Sequence, residues 1–235
     1  MGVVAELILI RHGQSASNVA FPAAAAQGLK ESGLTGRDAD VELTELGAEQ
    51  AAAVGRWLAA LPAAQVPEVI ITSPYLRARE TWRIAAAASG LDFPAPATDD
   101  RLVDRLLGDL EMMTEAAIME RFPDEQARWQ AAGEYGYRPP GGGEDFSDIA
   151  ARLTSFLNDL NRDHAGERVV VVAHDSVVLM MRYVIEGLNW ESLAEVVAGA
   201  GRVLNASISR FDGSSGRLVL AGYNTIDHLP PANGK

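Results

Sequence analysis

Three apolar runs, Leu7-Ile8-Leu9-Ile10, Val69-Ile70-Ile71 and Val169-Val170-Val171-Val172-Ala173, pass without a spacer into polar residues: Arg11-His12-Gly13, Thr72-Ser73-Pro74 and His174-Asp175-Ser176. Short unbroken apolar runs describe strands covered on both faces, which occur where helices pack on each side of a mostly parallel sheet. The pattern places strands at 6–11, 68–72 and 168–173, with a fourth at 203–211. Helical periodicity runs through 45–61, 75–88, 145–162 and 176–187; the first opens with Thr44 as its N-cap and sets Leu46 and Leu58 on its apolar side. The expected fold is α/β, a three-layer α/β/α sandwich around a mixed, mostly parallel sheet, formed by one domain spanning 1–235. Segments 20–42 and 91–144 are less regular and carry most of the Gly, Pro and acidic residues, so they are expected to build a lid over the strand ends.

Ligands of open α/β sheets collect beyond the carboxyl ends of the strands. The three runs would deliver Arg11 and His12, then Arg77 one helical turn past Pro74, then His174, to that edge. A strand alternates its side chains, so Arg11 and His12 share a pocket only if the backbone turns, and Gly13 is the residue that tolerates a turn. Two histidines and two arginines make a cationic pocket suited to a phosphoryl dianion. The planar arginine fork holds two oxygens at once, and Ser15, Asn18, Ser176 and helix-start N–H groups can complete the cradle. A neutral histidine has a free ring nitrogen to attack phosphorus, so one of the pair can form a phosphohistidine while the other binds an equatorial oxygen.

The formal net charge of -12 argues against nucleic acid as a partner, since a phosphate backbone rewards a basic face. The absence of cysteine removes disulfides, thiol nucleophiles and cysteine metal sites, and fits a cytoplasmic address. The run at 7–10 follows Glu6, precedes Arg11, and is too short for a signal core or a membrane span. The four histidines include no H-x-H or H-E-x-x-H pair, so no metal is expected; His164 and His228 are assigned surface or hydrogen-bonded roles. Gly141-Gly142-Gly143-Glu144 lacks the Gly-Lys-Ser/Thr ending of a phosphate loop and follows two prolines, which makes it a turn.

Taken in order, RHGQSASN, LTELGAEQA, TSPYLRARET, GGGEDFSDIAARL and VVVVAHDSV resemble the motifs of the histidine phosphatase superfamily, which also contains the cofactor-dependent phosphoglycerate mutases. The resemblance covers nearly the whole chain. It implies His12 as nucleophile, Arg11, Arg77 and His174 as phosphate ligands, Asn18 as a further contact, and no cofactor. It also implies a carboxylic acid that protonates the leaving oxygen. Aligned on Gly108 and Glu111, the stretch DRLVDRLLGDLEMMT puts Asp104 where the family has Glu, with Glu111 and Glu115 as alternatives; a structural role for Asp104 would instead pair it with Arg101 or Arg105. Asp175 stands where the family commonly has Gly, and its carboxylate would repel phosphate unless it turns away to cap the helix starting near Ser176.

The implied activity is that of a metal-independent phosphomonoester hydrolase of the histidine acid phosphatase type. Its partners would be a small phosphorylated metabolite and the inorganic phosphate released, with no nucleic acid and no membrane, and with room for a homodimer. Phosphoglycerate mutase-type transfer and non-catalytic binding of a phospho-ligand are the alternatives. The acids among the bases of 91–144 favour hydrolysis over a mutase, which must rebind a phosphorylated product.

Overall fold

Alternate residues of two neighbouring strands feed two separate cores. In β1 (Glu6–Arg11) and β4 (Arg168–Ala173), Leu7, Leu9, Val169 and Val171 point to one side, while Ile8, Ile10, Val170 and Val172 point to the other. The first set packs against α6 (Phe146–Asp163) and α7 (Asp175–Glu186) through Ile149, Leu153, Phe156, Val177 and Met180. The second packs against α2 (Glu45–Ala59) and α3 (Leu76–Ser89) through Val54, Leu58, Ala78 and Trp82. In this computed structural model, which describes residues 2–230, the six strands run in the order β3-β2-β4-β1-β5-β6. Strands β3 (Ala97–Thr98), β2 (Val69–Thr72), β4 and β1 are parallel; β5 (Ile208–Asp212) and β6 (Val219–Thr225) continue the sheet antiparallel. The result is the expected mixed, mostly parallel sheet between two helical layers.

The three apolar runs and four helical patterns fall on the elements expected of them. Thr44 is the N-cap of α2, its hydroxyl accepting from the Gly47 N–H at 3.0 Å. Leu58 is buried, but Leu46 is 45% exposed, because it lies in the first turn, outside the strip that meets the sheet. The fourth strand begins at Ile208, not at 203. Residues before it wrap around the end of β1 instead: Ala206 donates to the His12 carbonyl (3.1 Å), and Ser207 accepts from the Arg11 N–H (3.2 Å). Part of the 20–42 segment belongs to a helix, α1 (Ala16–Ala26), and the 91–144 segment contains β3, α4 (Glu115–Arg121) and α5 (Glu125–Gly136). A further helix, α8 (Trp190–Ala200), carries Trp190, which stacks between Tyr135 of α5 and Tyr183 of α7 with ring centroids 5.4 and 4.5 Å away. Each such pair adds about 1 kcal/mol beyond its buried area, so α5 is tied to the helical layer behind it.

Gly13 serves a different purpose from the one its sequence position suggests. Its φ is not in the left-handed region. A Cβ there would stand 2.3 Å from the Gly47 carbonyl oxygen, and one on Gly47 would stand 2.0 Å from that of Gln14. The glycines let the loop after β1 and the start of α2 touch backbone to backbone.

Candidate active site

Strands β1 and β2 flank β4, so their carboxyl ends lie side by side. Pairing continues one residue past β1, where the His12 N–H donates to the Ala173 carbonyl at 2.9 Å, and this sets His12 beside His174. The two rings meet edge to face with centroids 5.2 Å apart. From the end of β2, the Ser73 hydroxyl bonds His174 Nε2 at 2.8 Å, and the Tyr75 ring lies 5.1 Å from His174 on its other side. Arg77, in the first turn of α3, lies over the Tyr75 ring at 4.9 Å. Both histidines and Arg77 are buried.

His12 Nδ1 lies 2.7 Å from the Gly13 carbonyl; as that atom can only accept, Nδ1 carries the proton and Nε2 keeps its lone pair. Burial, reinforced by His174, Arg77 and Arg11, pushes His12 well below the usual histidine range. Burial pushes His174 down to about 3, although Asp104 works the other way. Both rings are therefore neutral at pH 7. Arg11 donates from Nη1 to the Val203 carbonyl (2.6 Å) and Arg77 from Nη1 to that of Asp38 (2.7 Å), and Arg77 Nη2 reaches the carboxylates of Asp38 (2.9 Å) and Asp104 (3.1 Å). Arg11 Nε, Arg77 Nε and His174 Nδ1 are buried without a hydrogen-bond partner among the described residues. Buried polar atoms are normally satisfied, so three unsatisfied nitrogens in one site mark a place built for an acceptor.

Asp104 sits 3.4 Å from His174 Nδ1 and accepts from the Ser176 hydroxyl (2.7 Å) and the Arg105 N–H (2.8 Å). Its burial favours the neutral form, yet His174, Arg77 and these donors outweigh that and hold the carboxyl well below the usual carboxylate range. Its guanidinium partner is Arg77 and not Arg101 or Arg105: Arg101 is held by Asp99 and Asp159, and Arg105 donates its guanidinium to the Glu144 and Tyr137 carbonyls. Asn18 lines the cavity; Ser15 N and Oγ and Asn205 Nδ2 all donate to its Oδ1, which leaves its NH₂ for a ligand. Ser15 itself is fully buried behind Asn18, and Ser17 takes the place on the wall that Ser15 was expected to hold. Ser176 and Glu111 line the cavity, while Glu115 starts α4 and does not. Helix α7 begins at Asp175, one residue earlier than expected. The N-cap is His174, so Asp175 does not cap the helix: as its first residue it accepts from the Ser176 N–H (2.9 Å) and stays in the site, 3.6 Å from Arg11.

Sequence reasoning did not find Asp38, Ser73, Tyr75 or Asn205 as parts of the site. Ser73 had a signal, its place directly after a strand; Asp38 and Asn205 arrive from irregular segments with none. His164 pairs with Glu167 (2.7 Å), and His228 with the Ala206 carbonyl (3.0 Å); neither lines the cavity. Among the described residues no group of three His, Cys, Asp or Glu side chains is arranged to hold a metal, and no helix is long and apolar enough to cross a membrane. The cluster opens into a cavity of about 710 Å³ bordered by α1, the 99–114 segment, α5 and the start of α7.

Residues 7–226 match the family model described as the histidine phosphatase superfamily, branch 1. A 2,3-bisphosphoglycerate-dependent phosphoglycerate mutase of Methylorubrum extorquens is 32% identical over 198 residues, covering 83% of this chain and 85% of its own. A metal-independent phosphoserine phosphatase of Arabidopsis thaliana is 26% identical over 226 residues, covering 96% and 84%. Among solved structures, a putative alpha-ribazole-5'-P phosphatase of Escherichia coli superposes with a TM-score of 0.75 at 22% identity, covering 94% of this chain and 97% of that one.

Proposed function

Because the chain belongs to the histidine phosphatase superfamily, branch 1, we propose that it hydrolyses small phosphomonoesters without a metal, through a phosphohistidine on His12. The observation that carries this reading is the pairing of His12 and His174, 5.2 Å apart and flanked by Arg11 and Arg77, at the ends of adjacent parallel strands. The phosphoryl oxygens are held by the two arginines, His174 and the Asn18 amide. The His12 Nε2 lone pair attacks phosphorus and the ester P–O bond breaks. Asp104 gives its proton to the departing alkoxide. Water then attacks the phosphohistidine, Asp104 takes a proton from it, the N–P bond breaks, and inorganic phosphate leaves. Asp104 is ionised in the free protein, but a bound dianion draws on Arg77 and adds a second negative charge, and both effects raise its pKa.

A nucleophile pushed well below the usual histidine range stays unprotonated in acid, while the proton donor gains from acid. That supports assignment to the histidine acid phosphatase type. A chain without cysteine supports work in the cytoplasm. The insertions near 20–42 and 91–144 act as the lid of a single domain. Identity to a mutase favours phosphoryl transfer as the second reading; the carboxylates that Asp38, Asp104 and Asp175 bring to the cavity favour hydrolysis. Release of phosphate from p-nitrophenyl phosphate, lost in His12→Ala, tests the proposal. A protein that binds phosphate but releases none is a binder, and one that moves phosphate between glycerate positions while hydrolysing little is a mutase.

A further inference from the structure

The proposed phosphatase reaction assigns the phosphoryl end of the cavity and leaves open what the rest of it receives. Arg11 and Arg77 are committed to the phosphoryl group. Of the two other arginines on the wall, Arg105 spends its guanidinium on the Glu144 and Tyr137 carbonyls, at 2.9 and 2.6 Å, over the face of Phe146. That leaves Arg202 to share the wall with the carboxylates of Asp175, Glu111 and Glu134. Between these charges the wall is apolar, formed by Phe21, Leu107 and Leu179 among others. A ligand with a second anionic group would meet more negative than positive charge, whereas one with a cation and a short apolar spacer would be matched.

Asp175 is the most informative of these acids. Its side chain is 43% exposed and lines the cavity, and its carboxylate stands 3.6 Å from Arg11, so it adjoins the phosphoryl position. Burial and the neighbouring Asp104 push its pKa up by more than Arg11 and Arg202 pull it down, so the carboxylate is short of positive charge. Phosphate binding takes Arg11 away from it and makes the shortage worse. An ammonium group on a short chain beyond the ester oxygen would restore the balance by standing between Asp175 and the open cavity.

We propose that the cavity selects phosphomonoesters whose organic half carries an ammonium group on a short apolar chain, with Asp175 as the residue that reads the ammonium. The proposal rests on the hydrolase reading for the position of the phosphoryl group. It sets this chain against substrates that bear a second carboxylate or phosphate.

The test compares two isosteric esters, 3-aminopropyl phosphate and n-butyl phosphate, which differ by an ammonium in place of a methyl. The wild-type kcat/KM should favour the amino ester by about tenfold or more, the worth of a hydrogen bond to a charged group. Asp175→Asn and Asp175→Gly should bring the ratio close to one. Because the ratio is read within each variant, a general loss of turnover cancels. Titration calorimetry of His12→Ala with the same two esters reads the preference as affinity. It does so even if the wild type releases no phosphate from either ester or from p-nitrophenyl phosphate, an outcome that would remove the hydrolase reading alone. A ratio at or below one in the wild type, or a preference that survives in both Asp175 variants, overturns the proposal.

Discussion

Arg77 and Asp38 form a two-pronged ion pair, Nη1 to Oδ1 at 3.1 Å and Nη2 to Oδ2 at 2.9 Å, deep in the site. That fork is the geometry an arginine offers to two phosphate oxygens, so a ligand must compete with Asp38 for it. Asp38→Asn should lower the inhibition constant of inorganic phosphate by about tenfold, a charge-assisted hydrogen bond's worth, and should lower KM more than it changes kcat. Weaker phosphate inhibition in the variant would mean that Asp38 orients Arg77 for the ligand.

His174 Nε2 is tied to the Ser73 hydroxyl and no backbone carbonyl fixes its tautomer, in contrast to His12, whose Nδ1 is held on the Gly13 carbonyl so that Nε2 keeps its lone pair. His174→Ala should slow turnover while acid-labile phosphate still accumulates on His12 after rapid quenching. Phosphate trapped on His174 in the wild type would exchange the two roles.

For Asp104, the leaving group decides. A phenolate departs without help, so Asp104→Asn should cost little in the first step with p-nitrophenyl phosphate but about a hundredfold with an alkyl phosphate, the usual worth of general acid catalysis. Equal, small losses on both esters would pass the role to Glu111, which also lines the cavity, or to a water.

Stability should fall with acid well before the carboxylates titrate. An unfolded histidine titrates near 6.5, whereas burial pushes folded His174 down to about 3 and moves His12 in the same direction. The unfolded chain therefore takes up protons first. The His174 contribution is present above pH 6.5 and is lost progressively as pH falls toward 3, by up to about 1.4 kcal/mol per pH unit, and His12 adds a loss of the same sign. Asp104, held low, loses its contribution only below its unfolded value near 4. Urea midpoints at about pH 7.5 and about pH 5 measure this; equal midpoints would contradict it.

Gly47→Ala should be among the more damaging single-methyl changes in the chain. Its Cβ would lie 2.0 Å from the Gln14 carbonyl oxygen, and backbone cannot step aside as a side chain can. A forced shift of this kind costs about 1–3 kcal/mol, so Tm should drop by about 3–10 °C for a chain of this size. His12 lies two residues from the contact, so activity should fall with it. An unchanged Tm would show that the loop has slack.

The parts of this protein legible in its sequence are those where burial leaves no choice. Strands covered on both faces must be apolar throughout, and so Leu7–Ile10 and Val169–Val172 announced the centre of the sheet, and the residues following them announced the site. Strand β6 was illegible because it is an exposed edge: its Gly222 and Asn224 follow no alternation that a core would impose. Asp38 and Asn205 were illegible for a related reason. Each comes from an irregular segment whose path is set by the tertiary contacts it makes, and a lone Asp or Asn in such a segment has many roles open to it. Asp104 lay between these cases, visible through a resemblance in spacing but not through any periodicity of its own.

Strand pairing here does more than bury valines. Residues Ile10 and Arg11 of β1 stand opposite Val172 and Ala173 of β4, and Thr72 of β2 stands opposite the same Val172, so one rung of the ladder carries three segments of the site. A slip of β4 by one residue would exchange its valines between the two cores and put Asp175 where His174 belongs. Register error and a misbuilt site are thus a single event.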